Sequence, residues 1–63
     1  MSRYIVDEET GKIFRRDETG FHEARPIKDA ITGKYFDSDT GEEIPKEIIA
    51  TSQRIKAELK KQP

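Results

Sequence analysis

The stretch Asp7-Glu8-Glu9-Thr10-Gly11-Lys12 returns about 22 residues on as Asp29-Ala30-Ile31-Thr32-Gly33-Lys34. Aligning Ile5–Gly20 with Ile27–Gly41, with one gap at Glu18, leaves nine of fifteen positions identical. A chain that spends most of its length on two copies of one short unit must fold that unit twice. An Asp whose carboxylate accepts hydrogen bonds from backbone amides ahead of it opens a tight turn, and the Gly returns the chain through a left-handed conformation. Each copy therefore reads as a β-hairpin. Further punctuation at Asp17-Glu18-Thr19-Gly20 and Asp39-Thr40-Gly41 extends each to a three-stranded meander.

If Asp7 pairs with Lys12, the register follows outward. Val6 meets Ile13, Ile5 meets Phe14, Tyr4 meets Arg15 and Arg3 meets Arg16; in the second copy Lys28 meets Tyr35 and Ile27 meets Phe36. Side chains alternate faces along a strand. The pair common to both copies, Ile5/Phe14 and Ile27/Phe36, is expected to form the core. The first unit is expected to be covered on both faces, the second on one.

The last third of the chain changes period. Ile44, Ile48, Ile55 and Leu59 recur at helical spacing with Ser52 between them, after Pro45, which suits a first turn. Glu42, Glu43 and Glu47 lie at the positive end of the helix dipole, and Arg54, Lys56, Lys60 and Lys61 at the negative end. The expected fold is α+β, two tandem meanders followed by one amphipathic helix packed on the sheet. It forms a single small domain over residues 1–63: repeat one 3–24, repeat two 25–44 and helix 45–61.

Fifteen large apolar side chains are a small core for 63 residues. Chains of this size usually add a disulfide, a metal or a partner. With no cysteine and one histidine, association is the expected supplement. Ile49 falls off the helix stripe beside Ala50 and Ala57, so a homodimer with Ile49 near the centre of its contact is expected.

Twelve basic residues against thirteen acidic ones give no global field toward nucleic acid or anionic lipid. No apolar run approaches the length of a signal peptide or a membrane span, which makes the cytoplasm the expected location and membrane attachment not expected. The acidic stretch Asp37–Glu43 has its Gly one position too early for a calcium-binding helix–loop–helix. Each Thr-Gly-Lys leads back into a strand, which a phosphate loop does not do. His22 beside Glu23 has no recognisable nucleophile elbow near it. No catalytic, cofactor-binding or metal residues are expected.

Gly-Lys-Tyr-Phe-Asp within Gly33–Gly41 resembles the hairpin repeats of bacterial cell-wall-binding and glucan-binding proteins, whose ligands are held by tryptophans; this chain has none. Ile-Pro-Lys-Glu-Ile at Ile44–Ile48 resembles a short stretch of swapped-hairpin DNA-binding regulators, which continue into further strands.

The expected function is a non-enzymatic, protein-binding accessory or regulatory module, or a subunit of a larger assembly. A nucleic-acid-binding regulator using arginine-bearing strands is the alternative. Arg3, Tyr4, Arg15, Arg16, Tyr35 and Ile49 are the candidate partner-binding residues.

Overall fold

A computed structural model describes residues 3–61. Six short strands precede one helix: β1 (Tyr4–Val6), β2 (Ile13–Asp17), β3 (Gly20–Ala24), β4 (Pro26–Lys28), β5 (Tyr35–Asp37), β6 (Glu43–Ile44) and α1 (Lys46–Lys60). They form two antiparallel meanders, β1-β2-β3 and β4-β5-β6, so the α+β architecture and the repeat are both present. The registers are those the turn chemistry dictates: Val6 with Ile13, Ile5 with Phe14, Tyr4 with Arg15, Ile27 with Phe36 and Lys28 with Tyr35.

The turns work as their residues require. Asp7 Oδ1 accepts from Glu9 N, Gly11 N donates to Asp7 O, and Asp7 N donates to Lys12 O. Asp29–Lys34 repeats this arrangement. It also occurs a third time: Asp37 Oδ1 accepts from Asp39 N, Gly41 N donates to Asp37 O and Asp37 N donates to Glu42 O. Asp37, not Asp39, therefore opens the last turn. The sequence alignment matched Asp39 to Asp17, but Asp17 faces Gly20 across a tighter hairpin with only Glu18 and Thr19 at its tip.

The register is as expected, but the buried face is the opposite one. The core contains Tyr4, Ile13, Ala24, Ile44 and Ile49, with Val6, Tyr35 and Ile48 packed against it. Ile5 and Ile27 are 46% and 58% exposed, while Phe14 and Phe36 are only half-buried. The helix decides the face. It packs on β1 and β2, and its Ser52 hydroxyl donates to Gly11 O, which holds the first turn against α1. That docking covers the Val6–Ile13 side and leaves the Ile–Phe side of both units outward.

The helical stripe keeps Ile44, Ser52 and Ile55 but takes Ile49 in place of Ile48, for the same reason. α1 buries Ile49, Ser52 and Ile55, leaves Ile48 at the margin, and leaves Leu59 exposed. Ile49 points into the core and cannot be the exposed centre of a helix contact. Pro45 sets this phase: it follows Ile44 of β6 directly, and its carbonyl accepts from Ile48 N and Ile49 N.

Arg25 alone separates β3 from β4. Ala24 on one side of it is buried in the core; on the other, Pro26 pairs with buried Asp37. Arg25 itself is exposed, and its carbonyl accepts from Ser38 N. The chain thus turns a corner at Arg25, and the inner faces of the two sheets meet around one core.

Candidate functional site

Where the inner faces meet, three polar side chains lie together. The Asp37 carboxylate, with no side-chain exposure, accepts from Tyr4 Oη at 3.0 Å and Arg15 Nη1 at 2.6 Å. With Asp39 N, that makes three donors on one buried carboxylate. Burial pushes the Asp37 carboxyl up; the hydrogen bonds from Asp39 N, Arg15 and Tyr4 outweigh it and hold it below the usual carboxylate range. Arg15 is raised in turn, first by its hydrogen bond to Asp37. Among the described residues no buried side-chain polar atom lacks a partner. Tyr4 and Arg15 are therefore committed to joining the two units, and neither is displayed to a partner.

Arg3 and Arg16 meet along the backbone as the register requires, but their side chains do not oppose each other. Arg16 N donates to Arg3 O, and the Arg3 guanidinium turns away to an ion pair with Glu42. Arg16 stays on the outward face directly across from Phe21. Its guanidinium has no ion-pair partner among the described residues. That outward face is the first candidate surface. By strand alternation it carries Ile5, Phe14, Arg16, Phe21 and Glu23 on the first sheet, Arg25 at the corner, and Ile27, Phe36 and Glu43 on the second. Phe21 is 57% exposed.

The last two candidates, Tyr35 and Ile49, fall together in a cleft of about 540 Å³ between the second sheet and the first half of α1. Its apolar lining includes Tyr35, Ile44, Pro45, Ile49 and Ala50. The Tyr35 hydroxyl accepts from Gln53 Nε2 at 3.4 Å on one wall.

His22 lies 2.6 Å from Thr19 Oγ1 and 3.3 Å from Asp17 Oδ1, which resembles an acid–base triad until the atoms are followed. Both contacts fall on the same nitrogen, Nε2, and the Thr19 hydroxyl donates to Asp17 at 2.7 Å. A triad needs the carboxylate and the nucleophile on opposite ring nitrogens, with the nucleophile's proton aimed at the imidazole. Here the group closes a tight turn. Asp17 is held below the usual carboxylate range chiefly by the Thr19 hydroxyl and then by Thr19 N.

Sequence reasoning passes over Phe21 and Arg25 as site residues, takes Ile27 for core and weighs Asp37 only as the start of a calcium loop. A signal for the outward face was present: Ile and Phe recur at matching positions of both units while the pair beside them changes from Val6/Ile13 to Lys28/Tyr35. In comparison with known proteins, no family model, no curated protein and no solved structure matches this chain. No helix among the described residues is long and apolar enough to cross a membrane.

Proposed function

We propose that this chain is a non-enzymatic, protein-binding accessory or regulatory module that engages its partner through the outward face of its sheets. One observation carries the reading: the Ile–Phe cross-strand pair recurs in both units on the side the helix leaves uncovered. Scattered exposed apolar residues need no explanation, but a face built twice to one pattern does. The cations at its outward positions are Arg16 and Arg25, and the one lysine that reaches its edge, Lys34, does so through an ion pair with Glu43. Phenylalanine and arginine beside one another are the residue types that anchor protein interfaces, while lysine is depleted there.

A second reading draws on the same residues. Phenylalanines flanked by Arg16 and Arg25 on a sheet also suit the stacking of single-stranded nucleic acid. The overall charge of −1 makes the phosphate contribution small, which favours protein.

Capture from a lysate with the intact chain and with its Phe21→Ser/Ile27→Ser variant, each with and without nuclease, separates the two. Proteins retained through nuclease treatment and lost with the variant are the expected result. Retention that vanishes with nuclease, and weakens steeply with salt, would give the function to nucleic acid. Retention indifferent to both changes would remove this face from the function.

A further inference from the structure

The three matching turns differ at their tips. Where the first has Glu9 and the third Asp39, the second has Ile31, 94% exposed. Ile31 is held in place, since its backbone N donates to Asp29 Oδ1 at 2.9 Å and Gly33 N donates to Asp29 O. A large apolar side chain on a pre-formed turn, aimed into water, loses little freedom when it is buried against something else.

The same turn borders the cleft, because Thr32 and Gly33 form part of its wall. A projecting apolar tip thus adjoins an apolar hollow. The rim carries two lysines, Lys34 and Lys46, and two glutamates, Glu43 and Glu47. A rim of one sign would repel its own copy; here Lys34 already pairs with Glu43, which leaves Lys46 and Glu47 to meet their opposite numbers across a two-fold axis.

We propose that two copies of this chain associate by exchanging these tips, with Ile31 of each copy seated in the cleft of the other beside Ala50. A two-fold axis between tip and cleft makes both contacts at once, as a self-complementary interface requires. The tip and cleft together are smaller than a standard stable interface, so the association is weak and needs concentrated protein. This surface meets the outward sheet face at Glu43 alone and does not depend on its role.

The test uses sedimentation equilibrium of the intact chain from about 10 µM to about 1 mM, with melts at both limits. Wild type is expected to move from monomer toward dimer and to melt higher when concentrated. Ile31→Glu, a residue the first turn already accommodates at Glu9, should weaken association about a hundredfold or more, because each change acts twice in the dimer. Its melt in dilute solution should match wild type. Ala50→Lys, at an exposed helix position, should weaken association similarly, and combining it with Ile31→Glu should restore dimer by pairing the new charges. A wild type that stays monomeric at the upper concentration overturns the exchange. So does an Ile31→Glu chain that dimerises like wild type, or a doubly changed chain that stays monomeric.

Discussion

At the scale of single residues, Gly11 and Gly33 occupy one place in one turn and are held for different reasons. Both have φ near the left-handed value, 78° and 76°, which an L side chain resists. A Cβ on Gly33 would meet nothing within 4 Å, whereas on Gly11 it would stand 2.7 Å from Lys56 Cγ and 3.2 Å from Ser52 O. The helix lies against the first turn and leaves the second free. Gly33→Ala should therefore cost about 1 kcal/mol, the conformational penalty alone. Gly11→Ala should cost about 2 kcal/mol or more, because strain and displacement of the helix add to it. Urea melts of the two variants check the difference, and equal losses would contradict the docking of α1 on this turn. The repeat made the turn and its glycines legible, because Asp and Gly act on their own neighbours. It could not distinguish the glycines, because the helix that separates them is some forty residues away from the first turn.

At the scale of elements, register was legible and face was not. Pairing follows from where each turn closes, a local matter, so Ile5 opposite Phe14 and Ile27 opposite Phe36 could be read directly. Which side of a meander is buried depends on what docks there. In the first unit both sides carry apolar pairs, Ile5/Phe14 and Val6/Ile13, so alternation alone does not choose. The helix stripe had the same ambiguity, since Ile48 and Ile49 are adjacent and a shift of one position exchanges them. Substitution separates the faces. Ile13→Ala and Ile49→Ala, both buried, should each cost about 3 kcal/mol, and Phe14→Ala, half-buried, about 1–2 kcal/mol despite removing a larger side chain. Leu59→Ala, on the exposed last turn, should cost under about 1 kcal/mol. A Phe14→Ala loss exceeding that of Ile13→Ala would return the core to the Ile–Phe face. The candidate site was legible to the same degree: Arg16 and Tyr35 lie on surfaces, while Tyr4 and Arg15 were drawn inside by Asp37, a carboxylate some twenty residues beyond Arg15.

At the scale of the whole molecule, two small sheets become one body through the carboxylate of Asp37. Its Tyr4 and Arg15 partners belong to the first unit, Asp37 to the second, and the Arg3–Glu42 pair bridges the same two units at the surface. Such a joint makes stability depend on acidity with a definite sign. Asp37, Asp17 and Asp29 are all held below their ordinary carboxylate value; the donors on Asp37 overcome its burial, the Thr19 hydroxyl leads for Asp17, and Ile31 N leads for Asp29. A group depressed in the folded state binds its proton more readily once unfolded. Its contribution is therefore fully present above the unfolded value, near pH ~4, and is lost as pH falls through the lower folded value. The melting midpoint should be flat with respect to these groups from about pH 6 upward and fall progressively below about pH 4. Asp37→Asn removes the closer of the two charges that answer Arg15, so it should lower the midpoint at neutral pH more than Asp17→Asn or Asp29→Asn does, because the nearly buried guanidinium then keeps only Asp17, whose Oδ2 lies 3.9 Å from its Nε. Its further decline in acid should be shallower than that of wild type, since one of the three carboxylates no longer titrates. Thermal melts at a series of pH values decide both points. An Asp37→Asn chain whose acid limb runs parallel to wild type would mean that the two units are joined by packing around Ile44 and Ile49, with the carboxylate contributing little.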